Sequence, residues 1–498
     1  MVDRNGTILL RRISQPADES VFGAGDRHCI LCDFVLVRSE ETHSTVCPSS
    51  ISIIHFNPQI LKHIFTLDTF GGFMSVPNDV MNACISLFSG AGIGDLGIHY
   101  GCGIETIVAV EKEEDRADLI RVNYPETEVI QGDIKQKVTE IIDVSNSKLN
   151  GKRPLIISIS PPCQGMSQNG MGKINSEIKK GNRPKYDPRN RLFIPALKIA
   201  KSLQPEYVLF ENVSNMQNAV IKTKSKAGFS KILDCIPRYL GKGYTIYTFV
   251  QEFANYGVPH FRKRLITIAK RTGTSTKLSE SRPEWFDCGS EDERVTVKQA
   301  IHPIRQLKKR DLLHMGTNMS DRDISLLKGI PKNSARSAHY NECKKCKTKD
   351  TPKGVIYCVK CGELLNRPIV ERDGELFAVK GYDTSYKRMP SDQPAKTLTM
   401  MSGVFSSDNK GHYCENRVLS LREILILATF LNIPKSEGLF NGAEFEWNGK
   451  YDFSSQMTKK ESYLIQKPII RQAIGESIPP LAMMRMINSL IHDWPNND

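Results

Sequence analysis

The chain has 498 residues, of which 40% are hydrophobic and 25% charged, a composition typical of globular proteins that excludes wholesale disorder. Length alone predicts about three domains. Its 68 Lys and Arg residues exceed its 55 Asp and Glu residues, which gives a formal net charge of +13. A basic balance of this size favours a polyanionic partner, nucleic acid first, without identifying it. The 13 cysteines are an odd number, which argues against a fully paired disulfide framework.

The sequence carries no membrane or secretion signal. No stretch approaches the roughly 20 apolar residues that a membrane span needs. The apolar run Ile8–Leu10 is too short for a signal-peptide core, which takes at least about 7 residues. We therefore expect a protein of the reducing cytoplasm with no membrane partner, whose cysteines are thiols, metal ligands or nucleophiles.

Residues 1–80 form an N-terminal extension of unknown role. Cys29, Cys32, His43 and Cys47 follow the spacing C-x2-C-x10-H-x3-C, which resembles a zinc site. Such pairs recur by chance in a cysteine-rich chain, so ordinary thiols are the favoured interpretation.

From about residue 82, short apolar runs alternate with helical patterns. Strands are predicted at Ala83–Phe88, Ile104–Glu111, Thr127–Ile130, Leu155–Ile159, Tyr207–Glu211, Tyr244–Val250 and Leu265–Ala269. Strands separated by helical stretches, such as the charged start at Lys112–Arg121, indicate βαβ units and a mostly parallel sheet. The predicted fold class is therefore α/β, with its chemistry at the carboxyl ends of the strands.

A glycine-rich turn, Phe88–Gly94 (FSGAGIG), follows the first of these strands. Such a turn lets backbone N–H groups approach a ligand closely. Glu111 ends the second strand, where a carboxylate is placed to hold ribose hydroxyls, and Asp133 ends the third, where it can accept from an adenine amino group. These features predict an adenosine-containing cofactor, and they leave NAD and S-adenosylmethionine open.

Candidate catalytic side chains follow the fourth and fifth strands. Two prolines stiffen the backbone just before Cys163, which favours a nucleophile over an inert buried thiol. Glu211 ends the fifth strand at the same edge; the alternative is a surface carboxylate. Alternation places His260, Arg262 and Arg264 on one face before another strand; the alternative is a solvated basic strand end.

The segment Lys173–Arg191 is basic. Its charges are Lys173, Lys179, Lys180, Arg183, Lys185, Arg189 and Arg191, against Glu177 and Asp187. Because this segment directly follows a candidate nucleophile, a loop that binds along the phosphates of a nucleic acid is favoured over a solvated mobile loop.

Residues 273–390 are irregular and polar, and we interpret them as an inserted second domain. Cys343-x2-Cys346 and Cys358-x2-Cys361 are separated by eleven residues, a strong signal for a structural zinc with four thiolate ligands. Phosphate-binding charge is predicted at Arg305, Lys308, Lys309, Arg310, Lys344, Lys345, Lys347 and Lys349. After the insert, helices are predicted at Arg417–Phe430 and Leu481–Ile491.

Taken together, these motifs resemble the DNA (cytosine-5) methyltransferase family of the bacterial restriction-modification type. The segments that carry the resemblance, in the family's order, are Ile85–Gly94, Ser160–Gly170, Glu211–Val213, Gly257–Arg264 and Ile474–Pro480. The resemblance covers about 82–272 and 391–498. Several short motifs in one order are specific, whereas each alone is not.

The resemblance implies a Rossmann-like S-adenosylmethionine-dependent fold with a smaller target-recognition domain. The catalytic domain would comprise 81–272 and 391–498, and the target-recognition domain 273–390, with a zinc ribbon. The implied catalytic residues are Cys163, Glu211, Arg262 and Arg264. The implied cofactor-binding residues are Phe88, Ser89, Gly90, Gly92, Glu111, Asp133 and Ser477. Gln164 and Ser167 match the loop that the family closes over DNA.

The sequence departs from the family pattern at a few positions. His260 stands where the family usually has Gln, and we expect little loss because it can still donate a hydrogen bond. Glu476 stands where the family usually has Asn, and it would put negative charge near the cofactor or the nucleophile loop. Ile426 and Ala428 replace the usual Arg and Gln late in the 417–430 helix.

The implied reaction transfers a methyl group from S-adenosylmethionine to carbon 5 of a cytosine flipped out of a specific double-stranded DNA sequence. The implied setting is the cytoplasm of a bacterium, at the nucleoid, with a monomeric enzyme and a cognate restriction endonuclease or other defence proteins as partners. One alternative is a tRNA methyltransferase of the same family, against which the zinc-bearing insert argues. The other is a catalytically silent DNA-binding regulator, against which Cys163 and Glu211 argue.

Overall fold

The computed structural model describes a defined part of the chain. The described residues are 78–162, 187–222, 228–274, 276–307, 311, 313–314, 319–349, 351–379, 384–407, 410–436, 438, 440–453 and 469–492. Several predicted features lie outside them: the cysteines and histidine of the N-terminal extension, Cys163 with Gln164 and Ser167, Lys173–Lys185, and Lys308–Arg310.

Twelve strands lie in the described residues. They are β1 (Val80–Leu87), β2 (Glu105–Glu111), β3 (Glu128–Gln131), β4 (Arg153–Ile159), β5 (Tyr207–Val213), β6 (Val220–Lys222), β7 (Phe229–Lys231), β8 (Tyr244–Glu252), β9 (Lys263–Arg271), β10 (Lys277–Ser279), β11 (Ile369–Arg372) and β12 (Glu375–Ala378). Eight of them form one sheet in the order β10-β8-β9-β5-β4-β1-β2-β3. β9 runs antiparallel to β5 and β8, whereas the other neighbouring strands pair in parallel. The predicted α/β fold with a mostly parallel sheet is confirmed.

Helices cover both faces of this sheet. They are α1 (Asp95–Cys102), α2 (Glu114–Asn123), α3 (Ile134–Leu149), α4 (Phe193–Leu203), α5 (Ile232–Leu240), α6 (Val297–Ile301), α7 (Asp321–Lys328), α8 (Leu421–Leu427) and α9 (Pro480–His492), and residues 469–476 are also helical. None of these described helices combines the length and the apolar character that crossing a membrane requires.

Side-chain alternation along β1 divides the core into two clusters. Ala83, Ile85 and Leu87 pack with α3, α4 and α5 on one face, whereas Cys84 packs with α1, α8 and α9 on the other. Because both faces are covered, the central strands are apolar throughout, as in other parallel sheets. This is why short continuous apolar runs located the strands in the sequence.

The helix predicted at Arg417–Phe430 is wrong in its extent, since the α-helix covers only Leu421–Leu427. Ser420 begins the helix through a capping box: its hydroxyl accepts from the Glu423 N–H at 3.2 Å, and its own N–H donates to the Glu423 carboxylate at 2.8 Å. Thr429 has a left-handed φ of 57°, which ends the helix. The helix predicted at Leu481–Ile491 is confirmed as α9.

The predicted insert contributes to the eight-stranded sheet and also packs into smaller cores. β10 pairs with β8, and Val297 and Ala300 pack into the large core cluster of the sheet. A separate small core joins Leu327 and Ile330 of the insert to Phe405, which lies in the segment after it. The division of the chain at residues 272 and 390 stays a prediction.

Candidate functional site

A cleft of about 1170 Å³ opens at the carboxyl ends of the strands. Such crevices are the usual ligand sites of open α/β sheets. Most of the described residues of the predicted site meet there: the cleft is lined by Phe88, Ser89, Gly90, Glu111, Asp133, Pro161, Pro162, Glu211, Arg262, Arg264 and Ser477.

The glycine-rich turn is fixed by left-handed backbone and by hydrogen bonds to β2. Phe88, Gly90 and Gly92 have φ values of 61°, 57° and 69°. The Ser89 N–H donates to the Val110 carbonyl at 3.0 Å, and the Gly90 N–H donates to the Glu111 carboxylate at 2.8 Å. Gly92 does not line the cleft: a Cβ there would lie 2.8 Å from the Tyr124 ring, so it allows close packing behind the turn.

Glu111 lies at the end of β2 with its carboxylate held by two backbone groups. One oxygen accepts from the Gly90 N–H at 2.8 Å and the other from the Glu113 N–H at 2.9 Å. Burial raises the pKa of Glu111, and these donors limit the rise. The carboxylate is thereby oriented in the cleft, where it can accept further hydrogen bonds from hydroxyl groups of a ligand.

Two more predicted cofactor residues stand at helix ends. Asp133 is the N-cap of α3, and its Oδ1 accepts from the Lys135 N–H at 3.0 Å. The Ser477 hydroxyl donates to the Ala473 carbonyl at 2.5 Å, at the end of the 469–476 helix. Both side chains can still accept hydrogen bonds on the cleft side.

Glu211 and Arg264 form an ion pair in the cleft. The Arg264 Nε lies 2.7 Å from the Glu211 Oε1, with side-chain exposures of 13% and 9%. Antiparallel pairing explains the contact, because it brings the start of β9 beside the end of β5, with Arg264 opposite Val213. The alternatives of a surface carboxylate and a solvated basic strand end are therefore wrong.

Arg262 is 3% exposed and is held by main-chain carbonyl groups. Its guanidinium donates to the Gly475 carbonyl at 3.2 Å and to the Glu476 carbonyl at 3.4 Å. Its own N–H donates to the Glu252 carboxylate at 2.6 Å. The arginine motif and the C-terminal motif are thus joined by direct hydrogen bonds.

His260 does not line the cleft with the two arginines. It is 1% exposed, and burial, reinforced by the charge of Arg262, holds the pKa of its imidazole well below the ordinary value. The Nδ1 of this buried imidazole lies 3.4 Å from the Phe261 carbonyl oxygen. The prediction that His260 lies on the same face as Arg262 and Arg264 is therefore wrong, because only the two arginines line the cleft.

Asn212, which sequence reasoning left without a role, fixes the turn that leads to Cys163. Its buried Nδ2 donates to the Pro161 carbonyl at 2.9 Å, and its Oδ1 accepts from the Val213 N–H at 2.9 Å. The end of β5 therefore holds the proline turn at the edge of the cleft. The only sequence signal for this role is the position of Asn212 within the Glu211–Val213 segment that resembles a family motif.

Glu476 does not bring an uncompensated negative charge to the cleft, contrary to expectation. Its Oε2 lies 2.7 Å from an Nη atom of Arg116, which comes from the first turn of α2 and is 8% exposed overall. The helical pattern around Arg116 gave no signal of this role, because the contact joins positions 360 residues apart.

Asp95 is a further cleft residue that the sequence did not reveal, and it gives a pH-dependent prediction. It is 4% exposed, and burial raises the pKa of its carboxyl to about 7. An unfolded Asp titrates near 4, so the folded state loses stability as the pH rises from about 4 through 7. We expect Asp95→Asn to raise the free energy of unfolding by up to about 4 kcal/mol at pH 8 and by less than half of that at pH 5.

Urea denaturation of both proteins at the two pH values measures this difference. Asp118→Asn, in an exposed pair with Arg121 on α2, is the control and should change stability little at either pH. An equal effect of Asp95→Asn at pH 5 and pH 8 would contradict the assignment.

Four of the five cysteines of the insert converge on one point and form a four-cysteine cluster: Cys343, Cys346, Cys358 and Cys361. All their sulfur atoms lie within 4.8 Å of one another, with Cys343 Sγ 3.6 Å from Cys361 Sγ and Cys346 Sγ 3.4 Å from Cys358 Sγ. Tetrahedral thiolate coordination at about 2.3 Å would place sulfurs about 3.8 Å apart. The donor set and its spacing therefore fit a zinc ion.

A second cluster, His412, Cys414 and Glu415, has metal-ligand residue types but a different use. The His412 Nδ1 accepts from the Cys414 and Glu415 N–H groups at 3.2 and 3.0 Å, and its Nε2 faces Glu423 at 3.4 Å. The Nδ1 atom is thus used by the main chain of the cluster itself, and the buried Nε2 faces a carboxylate, which favours a structural role for the cluster.

Comparison with known proteins gives one family. A family model described as C-5 cytosine-specific DNA methylase matches residues 82–492. Type II methyltransferase M1.HgaI of Avibacterium volantium is 28% identical over 423 residues, covering 82% of this chain and 98% of that protein. Type II methyltransferase M1.HphI of Haemophilus parahaemolyticus is 27% identical over 399 residues, covering 79% and 86%. A solved prophage-encoded protein from E. coli aligns with a TM-score of 0.47 and 16% identity, covering 82% of this chain and 98% of that chain.

Proposed function

Because the chain belongs to the C-5 cytosine-specific DNA methylase family, we propose that its cleft transfers a methyl group from S-adenosylmethionine to carbon 5 of cytosine in a specific duplex DNA sequence. The observation that carries this proposal is the meeting of the Glu211–Arg264 pair, Arg262 and the Pro161–Pro162 turn in the same cleft as Glu111. The names of the relatives support a role in restriction-modification.

The cofactor half of the cleft fits an adenosine group. The oriented carboxylate of Glu111 would accept from ribose hydroxyls, and Asp133, from the next strand, would accept from the adenine amino group. Phe88, Ser89 and Gly90 line the cleft beside them. When bound, S-adenosylmethionine supplies an electrophilic methyl group.

The catalytic half fits covalent activation of cytosine. Carbon 5 of cytosine is a poor nucleophile, so the Cys163 thiolate would add to carbon 6 and make carbon 5 an enamine carbon that forms the new bond to the methyl group. Glu211, oriented by Arg264, would act in its protonated form and donate a hydrogen bond to ring nitrogen 3, where negative charge develops. Arg262 would polarise the carbonyl at carbon 2. A base then takes the carbon 5 proton, and the thiolate leaves carbon 6.

The target base must first leave the DNA helix, at a cost of a few kcal/mol in stacking and pairing. The exposed lysines of the insert, Lys344, Lys345, Lys347 and Lys349, would bind phosphates and help to position the duplex. Arg305 is exposed but pairs with Glu415 at 3.2 Å, so it contributes less free charge than expected. A cognate endonuclease is the partner we expect, and the enzyme would act as a monomer at the bacterial nucleoid.

The four-cysteine cluster supports a structural zinc ion as part of the same proposal. Arg367, 3% exposed, donates to the carbonyls of Asn341, Thr351 and Pro352 at 3.1, 2.8 and 2.7 Å, which ties together the chain on both sides of the cluster. Four thiolates leave no open coordination position, so zinc would hold the fold of the insert and take no part in chemistry.

Methyl transfer from labelled S-adenosylmethionine to duplex DNA and to tRNA tests the proposed function. We expect label in DNA and none in tRNA. Label in tRNA alone would overturn the DNA assignment, which the family model and the relatives already favour. Binding of DNA without transfer to either substrate would support the alternative of a silent regulator.

A further inference from the structure

An ion pair connects the two segments of the catalytic fold across the cleft. Arg116 lies in the first turn of α2 and Glu476 at the end of the helical residues 469–476. Their Nη and Oε2 atoms are 2.7 Å apart, with side-chain exposures of 9% and 35%. Both side chains line the cleft, close to Glu111 at the end of β2.

Neighbouring carboxylates stabilise the positive charge of Arg116. Burial disfavours the cation, but Glu476 first, then Asp115 and Glu111, outweigh burial and raise the pKa of Arg116. The Arg116 Nη1 also lies 3.3 Å from Asp115 Oδ1, and the other oxygen of Glu476 accepts from Gln472 at 3.3 Å. The carboxylate of Glu476 is therefore oriented from two sides.

The main chain at Glu476 contacts the opposite half of the cleft. The carbonyls of Gly475 and Glu476 accept from the Arg262 guanidinium at 3.2 and 3.4 Å. Gly475 itself packs closely against the main chain at Thr399 and Met400, because a Cβ at this position would lie 2.5 Å from the Met400 nitrogen. The Glu476 side chain thus faces the cofactor half, while its main chain holds the arginine of the catalytic half.

We propose that Arg116 and Glu476 are positioning residues, whose ion pair fixes the 475–476 carbonyls and through them the guanidinium of Arg262. The inference rests on the proposed function, because it assigns the pair to the chemical step of methyl transfer. The proposal assigns a partner and a positioning role to Glu476, the residue that departs from the family pattern. Since small displacements of a catalytic group can cost tenfold or more in rate, loss of the pair should act on turnover more than on binding.

A double-mutant cycle tests the pair. Arg116→Gln and Glu476→Gln should each lower kcat about 10-fold, with the Kd values for S-adenosylmethionine and DNA within about 3-fold of wild type. The double variant should be no worse than either single variant, because both remove the same interaction. Arg116→Lys, which keeps the charge, should lie between wild type and Arg116→Gln.

Arg121→Gln is the matched control. Arg121 lies on the same helix and pairs with Asp118 at 2.6 Å on the exposed face, so its loss should leave kcat unchanged. Unchanged kcat in both single variants, multiplied losses in the double variant, or losses explained entirely by weaker cofactor binding would each overturn the inference.

Amide hydrogen exchange gives a second readout that needs no activity. Exchange in residues 472–478 should rise in Arg116→Gln and Glu476→Gln but not in Arg121→Gln; unchanged exchange would count against the inference. A wild-type enzyme that transfers no methyl group to DNA would contradict the proposed function. Unchanged exchange in the two variants would contradict only the positioning role of the Arg116–Glu476 ion pair.

Discussion

Replacing Cys163 by alanine should lower methyl transfer to DNA by at least about 1000-fold. Without the thiolate, carbon 5 of cytosine is not activated, and none of the described cysteines lines the cleft to replace it. Cofactor binding should stay within about 3-fold of wild type, because the Glu111 side of the cleft is unchanged. Single-turnover transfer of a labelled methyl group and equilibrium binding of S-adenosylmethionine measure the two effects.

Cys288→Ala is the control for the removal of a thiol. Cys288 is half-buried, contacts the Gly289 carbonyl and does not line the cleft, so activity should be retained. A Cys163→Ala enzyme with transfer within tenfold of wild type would contradict covalent catalysis by Cys163.

The second large effect concerns the four-cysteine cluster. Purified protein should carry at least one zinc ion per chain, and Cys358→Ser with Cys361→Ser should remove it. Structural zinc contributes about 10–16 kcal/mol of binding free energy in small zinc-folded peptides, so its loss should unfold the chain around the cluster and weaken DNA binding.

Metal analysis, limited proteolysis and DNA-binding titrations measure the consequences of this double substitution. Cys288→Ser should leave the zinc content, the cleavage pattern and the DNA affinity unchanged. A wild-type protein free of metal, or a double variant that keeps its zinc, would contradict the assignment.

The sequence was sufficient for those features that depend on local pattern. Buried parallel strands are continuous apolar runs, so Leu155–Ile159 and Tyr207–Glu211 could be recognised directly and were extended by only a few residues. The glycine-rich turn and Glu111 followed from their positions after strands. The paired C-x2-C spacing likewise located four sulfurs that lie within 4.8 Å of one another.

Features that depend on tertiary contact were missed. Asn212 holds the proline turn, and Arg116 reaches Glu476, through contacts between distant segments that no local pattern encodes. His260 was placed in the cleft by strand alternation, but β9 begins only at Lys263, so alternation does not extend to position 260. The helix predicted at 417–430 is too long because the apolar residues just before and just after the short helix α8 are buried as well. Ser420 caps that helix, which therefore begins only at Leu421.

Bisulfite sequencing of DNA from a bacterial host that lacks its own cytosine-5 methylation tests the central claim most directly. With the wild-type protein expressed, cytosines in one sequence context should resist conversion, and with Cys163→Ala all cytosines should convert. Complete conversion in both hosts, or the same protected cytosines in both, would contradict methylation of DNA cytosine by this cleft.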